Sequence, residues 1–476
     1  MHEAIILLVW SFAVVPTFAV QMVSKPSNVA LTIYNQNFAL VKEERTMNLE
    51  QGVNYVSVQD VAATIEPNSV AFKSLTDPNA VVVREQNYQY DLISPATILN
   101  KSVGKRVKVR RIVEGKVTEV EGTLLSTVDN GRVIQTSDGI LLDPVGEIEV
   151  MELPEGLTSR PTLVWKLEAS KGGEHKTEIS YLANQISWIA DYVAVIDPLE
   201  KYVDLTGWVT LTNNSGTTYE NASLNLMAGD VRRVEPVGYK GRLADMGGVM
   251  AAEAAAPQFT EKSFFEYHLY TLQGKTTVRD KETKQLTLIQ AARVPAKKLF
   301  IYDGRMQWWR NWRYGNYRPG ESYDVSANKK VNVFIEVANT KENHLGIPLP
   351  KGKVKVYKED VEVNQQFIGE DEIDHTPKDE KIRLYVGDAF DIVGEHKRIN
   401  FRRISQNEVE ETFEISLRNH KDVPVTITVV EHLTADWKIV ESSHKYIKKD
   451  ASTVEIPVEV AKDSEVKVTY TVRTKW

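Results

Sequence analysis

Short segments that alternate apolar and polar residues fill the last third of the chain, from residue 329 to residue 473. Examples are Lys353–Tyr357, Lys381–Val386, Phe413–Leu417 and Val425–Val429, with Gly, Pro, Asn and Asp between such segments. A period of two points side chains to opposite faces of a sheet, one toward a core and one toward water. Short alternating strands divided by turn residues are typical of a β-sandwich, so we predict an all-β fold.

Earlier parts of the chain show the same alternation. Ala30–Tyr34 and Phe38–Val41 flank an Asn-Gln-Asn turn and predict a hairpin. Short strands and glycine-containing turns between Gly104 and Met151 predict a small β-barrel inserted over residues 97–153. Residues 236–262 are rich in Gly, Ala and Met without periodicity, and they predict a mobile linker.

The length sets the domain plan, because 476 residues are too many for one hydrophobic core. We predict a signal peptide over residues 1–19 and an N-terminal β-sandwich over residues 20–318 that carries the barrel and the linker. A C-terminal immunoglobulin-like β-sandwich is predicted over residues 319–476. The chain is therefore interpreted as two β-sandwich domains with one small barrel inserted in the first.

Composition narrows the function classes. The chain has 42% hydrophobic and 26% charged residues, which is typical of a globular protein. A formal net charge of -7 argues against non-specific nucleic-acid binding, which needs a clustered basic field. The absence of cysteine excludes disulfides, thiolate metal sites and thiol catalysis. We predict no cofactor, no metal, and no nucleic-acid partner.

The N-terminus predicts export. Ala4–Val15 is a continuous apolar run, Pro16 breaks it, and Thr17-Phe18-Ala19 places small residues where a signal peptidase cuts. The run is short for a membrane span, so no span is expected after cleavage. The residues before the run contain no Lys or Arg, which leaves a buried first strand or a misassigned start as the alternatives.

Aromatic residues concentrate in one segment, where three of the nine tryptophans fall. Exposed indole rings stack on sugars or protein partners, and Arg adds bidentate donors and cation–π contacts. The alternative is a loop whose tryptophans plug the seam between two sandwiches, because large aromatic side chains are usually buried. The predicted binding residues are Trp308, Trp309, Arg310, Trp312, Arg313, Tyr314 and Tyr317.

Two charged clusters are interpreted as solvated surface. The basic cluster at Lys105–Arg111 lies on alternating strands, although a small barrel with such charges can also bind oligonucleotides. The acidic cluster at Glu370–His375 lacks the spacing of a calcium loop, and its single His cannot complete a zinc site. A solvated turn is therefore favoured for the acidic residues.

Motifs for catalysis are missing: the chain has no Gly-x-Ser-x-Gly elbow, no His-Glu-x-x-His and no phosphate-binding glycine loop. Glu431 beside His432 is interpreted as the end of a strand and not as a catalytic dyad. Three Asn-x-Ser sequences match the N-glycosylation pattern, a weak signal because chance matches are common. The glycosylation candidates are Asn100, Asn213 and Asn221.

Several motifs resemble the uncharacterised C-terminal domain of mucoidy-inhibitor-A-like proteins, and they occur in the same order over residues 162–476. This resemblance implies an all-β, exported or cell-envelope protein of unknown function, and it supplies no catalytic residues. Before residue 162 the chain departs from the family, because the predicted barrel stands where some relatives carry a coiled coil. The motifs are Ser187–Tyr192, Leu211–Ala222, Met227–Val231, Leu349–Val354, Phe367–Asp371, Ile373–Pro377, Gly387–Asp391 and Arg418–His420.

These observations predict an exported cell-envelope or extracellular protein that is not an enzyme and acts through its surfaces. It is a binding module or a self-assembling structural subunit, and its partner is another protein, a second copy joined by edge strands, or a glycan. The alternative is an envelope glycan-processing enzyme, a hydrolase or lyase, with paired carboxylates in a cleft between domains.

Overall fold

The computed structural model describes residues 20–113, 116–233, 258–304, 328–362 and 364–476. Strands hold 66% of the residues and helices 4%, so the all-β prediction is confirmed. The chain divides into two compact units. The first takes in the described parts of Met1–Trp188, Leu211–Asp230 and Leu269–Lys284, and the second those of Ile189–Thr210, Val231–His268 and Gln285–Trp476.

Within its described residues, the first half of the chain forms sixteen strands and one α-helix. Short 3-10 turns cover Pro67–Ser69 and Val128–Asn130. The elements are β1 (Gln21–Met22), β2 (Asn28–Tyr34), β3 (Phe38–Leu49), β4 (Gly52–Gln59), β5 (Ala71–Ser74), β6 (Val81–Gln89), α1 (Pro95–Lys101), β7 (Arg106–Val113), β8 (Lys116–Ser126), β9 (Val133–Thr136), β10 (Gly139–Leu142), β11 (Glu147–Val150), β12 (Thr162–Ala169), β13 (Gly173–Asn184), β14 (Ile186–Ile196), β15 (Tyr202–Asn213) and β16 (Tyr219–Ala228).

The second half consists of strands and one 3-10 turn at Lys341–Asn343, within the part of the chain that the structure describes. The strands are β17 (Phe259–Phe264), β18 (Tyr267–Val278), β19 (Glu282–Tyr302), β20 (Lys330–Ala338), β21 (Gly352–Glu359), β22 (Gln365–Ile373), β23 (Lys381–Ser405), β24 (Glu408–Asn419), β25 (Val425–His432), β26 (Asp436–Ser442), β27 (Ile447–Lys448), β28 (Thr453–Val460) and β29 (Ser464–Lys475).

Alternation determines which side chains reach the core. In β14, Ile186, Trp188, Ala190 and Tyr192 are buried while the residues between them are not. This is the burial expected when every second side chain points to the same sheet face. The helix α1 escaped the pattern analysis because it is short. Its start is nevertheless encoded locally, since the Ser94 hydroxyl accepts a hydrogen bond from the Thr97 N–H and proline occupies the first turn.

The strands form four sheets. A four-stranded sheet has the order β1-β4-β12-β6, a five-stranded sheet has the order β10-β9-β8-β7-β11, and a seven-stranded sheet has the order β17-β18-β16-β2-β3-β13-β5. A thirteen-stranded sheet has β22-β21-β14-β15-β19-β20-β23-β24-β29-β26 as its main path, with β25, β28 and β27 joined beside it. The five-stranded sheet contains the segment predicted as an inserted barrel.

One pairing scheme occurs twice along the chain. In the first occurrence β2 pairs antiparallel with β3 and parallel with β16, and β3 pairs antiparallel with β13. In the second, the end of β19 pairs antiparallel with β20 and parallel with β25, and β20 pairs antiparallel with the start of β23. The neighbours β16 and β18 likewise correspond to β25 and β28, and β15 and β19 to β24 and β29. This equivalence joins distant segments, so period counting along the sequence did not detect it.

A buried asparagine marks the same corner in both occurrences. The Asn213 side-chain N–H groups donate to the carbonyls of Thr217, Val278 and Arg279, and its Oδ1 accepts from the Ser215 N–H. Asn419 makes the same set of bonds. Its amide donates to the carbonyls of Val423, Val460 and Ala461, and its Oδ1 accepts from the Lys421 N–H. Each asparagine therefore ties a loop to the end of a strand distant in sequence.

The predicted linker differs from the structure at its end. Residues 236–257 lie outside the described residues, but Phe259–Lys262 belong to strand β17, which lies at the edge of the seven-stranded sheet. Phe259 is buried there, so the linker prediction is wrong for these last residues. The reason is that a short strand at a sheet edge carries too few apolar positions for alternation to be recognised.

Candidate interaction surfaces

The five-stranded sheet has different characters on its two sides. Its inner side packs Val107, Val109, Leu124 and Ile134 into a small buried core, with Leu141 against it. Gly122 allows the sheet to close over this core, because a Cβ there would come within 2.5 Å of the Gln135 carbonyl oxygen.

Its outer side is apolar at one edge. Strand β10 is an edge strand, and Ile140 and Leu142 point away from the core while Leu141 between them points inward. Ile140 is 59% exposed and Leu142 is 75% exposed, and the neighbouring Val145 is 86% exposed. Val128 and Leu125, close in sequence to the partner strands, are exposed as well. We call Leu125, Val128, Ile140, Leu142 and Val145 the apolar edge.

The rest of the outer side is charged and internally paired. The Arg106 guanidinium lies 2.7 Å from a Glu121 carboxylate oxygen, and Lys108 and Arg110 both contact Glu119. The two basic hydrogen-bond donors at Glu119, Lys108 and then Arg110, hold the pKa of its carboxyl below the usual range. Three residues of the basic cluster predicted as a solvated face, Arg106, Lys108 and Arg110, therefore form ion pairs with carboxylates of the adjacent strand β8.

The predicted aromatic binding residues Trp308, Trp309, Arg310, Trp312, Arg313, Tyr314 and Tyr317 lie outside the described residues. The structure does describe where this segment leaves and rejoins the fold. The Asn328 N–H donates to the Gly304 carbonyl at 3.3 Å, and its side-chain amide donates to the Asp303 carbonyl at 3.2 Å. The Tyr302 hydroxyl donates to the Asn328 carbonyl at 2.7 Å. The two ends of the segment are therefore hydrogen-bonded neighbours.

A histidine–carboxylate pair lies at this base. The Nε2 atom of His432 is 3.0 Å from Oδ2 of Asp303, and each side chain is 15% exposed. His432 ends β25 and Asp303 directly follows β19, two strands that pair in parallel, so the sheet itself brings them together. Burial, followed by the nearby carboxylates of Glu431 and Asp303, raises the pKa of Tyr302 above its ordinary value.

A second histidine lies deeper. Nε2 of His396 is 3.1 Å from Oε1 of Glu431, and the Tyr470 hydroxyl donates to Oε2 of Glu431 at 2.7 Å. All three residues are almost fully buried, and the His396 ring lies 5.1 Å from the Phe413 ring. Gly304 leaves only the room of a hydrogen here, because a Cβ would lie 2.8 Å from the His396 Cβ. We call His396, Glu431 and Tyr470 the buried histidine cluster.

Consecutive residues on a strand face opposite sides, which separates Glu431 from His432. Glu431 points inward to His396 and Tyr470, while His432 contacts Asp303 at the strand end. In the described ranges no group of three or more His, Asp or Glu residues is arranged to hold a metal ion. Equally, no described helix is long and apolar enough to cross a membrane.

Three residues of the acidic cluster lie on a strand and not in a turn, which corrects the prediction for them, while Asp374 and His375 follow that strand. Glu370, Asp371 and Glu372 belong to β22, which pairs with β21. Oδ2 of Asp371 accepts the Tyr385 N–H at 2.7 Å, and Glu372 lies 3.3 Å from Lys351. The alternation of acidic residues with lysines across two strands explains why so many carboxylates can stand together.

The glycosylation candidates occupy different environments. Asn100 is on the exposed side of α1 and Asn221 is exposed with a positive φ of 49°. Asn213 is fully buried, and its amide nitrogen donates to three backbone carbonyls. A glycan on that nitrogen is incompatible with this fold, so Asn213 is wrong as an acceptor. The burial of Asn213 could not be predicted from the acceptor motif, because an Asn-x-Ser sequence contains no information on burial.

Comparison with family models and with curated proteins does not assign the chain to a family. No family model matches the chain, and no curated protein matches it either. The resemblance to mucoidy-inhibitor-A-like proteins stays a prediction.

Proposed function

We propose that this protein acts through its surfaces as a self-assembling subunit, with strand β10 of one copy pairing with the sheet of another copy. The observation that supports this most is the apolar edge. Edge strands present unpaired N–H and C=O groups, and proteins usually blunt them with charge or proline. At β10 the outward residues are Ile140 and Leu142 instead.

A second copy is the occupant that the sheet order favours. The five-stranded sheet has two open edges, β10 and β11. One copy can therefore offer β10 to the β11 edge of the next, a head-to-tail contact that propagates into a ring or a filament. Each apolar side chain fully removed from water would contribute about 1.5–3 kcal/mol. Main-chain hydrogen bonds along the added strand would fix its register.

The test is the assembly state of the purified protein, measured by light scattering and electron microscopy across a range of concentrations. The double variant I140K/L142K places two charges on the edge, and it should convert assemblies to monomers without a change in circular dichroism. Phe390→Lys is the matched control, because Phe390 is 96% exposed on β23. A wild-type protein that is monomeric at every concentration would refute the proposal, as would assemblies that survive I140K/L142K.

The aromatic segment is proposed as a second contact surface, for a protein or glycan partner. Its support is the base at Asp303, Gly304 and Asn328, which holds the two ends of residues 305–327 side by side. Replacing Trp308, Trp309 and Trp312 together by Ala should weaken association and leave the folded state intact. Loss of folding would show instead that these rings belong to a core.

The location and the finer fold remain part of the proposal. We propose an exported cell-envelope or extracellular protein whose apolar run at Ala4–Val15 directs it there. N-terminal sequencing of the protein recovered from cell fractions would test this, since retention of Met1 in a cytoplasmic fraction contradicts it. The repeated pairing scheme supports immunoglobulin-like sandwiches. Five short strands around one small core, with unpaired edges at β10 and β11, support a small barrel that is only partly closed.

A further inference from the structure

A cavity of about 570 Å³ lies within the first unit, remote in sequence from the aromatic segment. This volume falls in the range of about 300–1,000 Å³ that small-molecule sites occupy. Its walls come from β2, β3, the turn after β4, the segment before β12, the loop between β15 and β16, and the turn between β18 and β19. The charged lining residues are Lys25, Glu43, Arg45, Asp60, Arg160, Glu220, Asp280 and Lys281.

The floor is a buried ion pair. Arg45 is 1% exposed and Glu43 is 2% exposed, and the guanidinium donates twice to Oε2 of Glu43, at 2.9 Å from Nε and 2.6 Å from Nη2. Nη1 of Arg45 donates to the Ser24 carbonyl at 2.8 Å. A guanidinium has five N–H groups, and Nη2 also donates to the Gln59 carbonyl at 3.5 Å, so within the described contacts one Nη1 hydrogen has no acceptor. A buried donor of this kind is costly to leave unused.

Most carboxylates in the lining are already engaged. Glu43 is held by Arg45 and by the Tyr181 hydroxyl, which donates at 2.9 Å. Asp60 forms an ion pair with Arg160. Oδ1 of Asp280 accepts the Gly216 N–H at 2.9 Å. Three of the four carboxylates in the lining are thus engaged, and the exposed Glu220 is the fourth. One remaining carboxylate favours ligand binding over catalysis by paired acids at this cavity.

The lysines in the lining are not engaged in the same way. Among the described residues, no ion pair joins Lys25 or Lys281 to a carboxylate. Both side chains are exposed at the cavity. Together with the spare Arg45 hydrogen, two ammonium groups stand available for an anion.

The backbone holds these groups in place. Asn213 binds the carbonyls on both sides of the cavity corner, at Thr217 and at Val278 and Arg279. Lys281 adopts a left-handed backbone with φ 56°, and its N–H donates to the Asn213 carbonyl at 2.7 Å. A left-handed backbone conformation costs free energy at a non-glycine residue. It persists where the surrounding contacts fix the backbone in that conformation.

We infer that this cavity binds a small hydroxylated carboxylic acid, the chemical class of the sugar acids. Lys25, Lys281 and the Arg45 edge receive the carboxylate. Hydroxyl groups of the ligand meet Ser159 and Thr218, whose side chains also line the cavity. The volume exceeds what a bare acetate or phosphate ion fills, and this is why a hydroxylated carbon skeleton is specified. The inference does not depend on edge pairing by β10.

Calorimetry on the full chain tests this with three probes: glucuronate, glucose, and acetate. Glucuronate should bind and raise the melting temperature, whereas glucose lacks the charge and acetate lacks the hydroxyl groups, so both should bind at least about tenfold more weakly. Lys25→Gln and Lys281→Asn should each weaken glucuronate binding about tenfold or more, because each removes one charge-assisted hydrogen bond. Asn is chosen at position 281 because it tolerates a positive φ.

Lys73→Gln is the matched control, since Lys73 is exposed on β5 and outside the cavity lining. It should bind glucuronate as the wild type does. Three results would overturn the inference: no glucuronate binding, equal binding by Lys25→Gln, Lys281→Asn and Lys73→Gln, or equal affinity for glucuronate and glucose. Equal affinity for acetate would overturn the sugar-acid specificity. Melting curves of each variant confirm that the fold is retained.

Discussion

Two buried glutamates in this protein contact different basic side chains. Glu43 on β3 contacts Arg45 and Tyr181, and Glu431 on β25 contacts His396 and Tyr470. In both places a tyrosine hydroxyl donates to one carboxylate oxygen, at 2.9 Å for Tyr181 and 2.7 Å for Tyr470. The basic side chains differ in chemistry, because a guanidinium is permanently charged and donates through a planar fork of N–H groups, whereas an imidazole has only two ring nitrogens.

The difference shows in the geometry. Arg45 donates through two nitrogens to one oxygen of Glu43 and spends a further donor on the Ser24 carbonyl. Nε2 of His396 lies 3.1 Å from Oε1 of Glu431 without the alignment of a hydrogen bond. The arginine pair is therefore a well-aligned hydrogen-bonded connection, while the histidine cluster is a looser contact beside the base of the aromatic segment.

The largest difference in stability between the two sites is expected when the basic side chain of each is removed. Arg45→Met leaves Glu43 buried and uncompensated, and we expect a loss of about 3–5 kcal/mol in the free energy of unfolding. His396→Met should cost less, about 1–3 kcal/mol, because the contact between Nε2 of His396 and Oε1 of Glu431 is not an aligned hydrogen bond. Urea unfolding measures both. The comparison fails if His396→Met costs as much as Arg45→Met.

A double variant sharpens that measurement. E43Q/R45M removes both charges of the pair, and it should recover a large part of the stability lost in Arg45→Met alone. No recovery would show that packing of the arginine stem, and not its charge, stabilises this part of β3.

Removing the tyrosine hydroxyls tests what the sites share. Tyr181→Phe and Tyr470→Phe each delete one donor to a buried carboxylate, and we expect a loss of about 1.5–3 kcal/mol in each case. Unfolding curves of the two variants should give similar values. A negligible loss at Tyr470 alone would mean that Glu431 is satisfied without its hydroxyl.

The smallest expected effect is the loss of folding stability at alkaline pH, and it involves buried tyrosines of both units. Burial, then Glu43, holds the pKa of Tyr181 well above its ordinary value, and burial with Glu431 and Asp303 raises that of Tyr302. The unfolded chain releases these protons first, so their contribution to stability is present below about pH 10 and is lost as the pH rises further. Tyrosinate absorbance from both residues should appear only together with unfolding. Ionisation of Tyr181 in the folded protein would contradict this.

The inward direction of the two buried glutamates could be predicted from the alternation of buried and exposed positions along their strands. Val41, Glu43, Arg45 and Met47 alternate on one face of β3, so the apolar neighbours indicate that the charged pair points inward. The same reasoning places Glu431 inward after Ile427 and Val429. The alternation that predicts these strands therefore also predicts which charged residues share their buried face.

The cavity could not be found in this way. Its lining joins residues as far apart as Lys25, Arg160, Thr218 and Lys281, and only the paired strands bring them together. No local pattern contains that information. Exposure on β10 is a similar case, because an apolar run such as Ile140-Leu141-Leu142 looks the same in an interior strand and at an edge.

Strand β19 has a practical consequence for dissecting the molecule. Its last residues form the hydrogen-bonded neighbour of both β20 and β25, and Phe300 and Tyr302 belong to the same core as Ile427 and Tyr470. A fragment that starts at residue 319 would lose this strand and leave the edges of β20 and β25 unpaired. Extended segments of other proteins could then pair with these edges. Anyone expressing the C-terminal part alone should begin upstream of Gln285, where the second compact unit resumes.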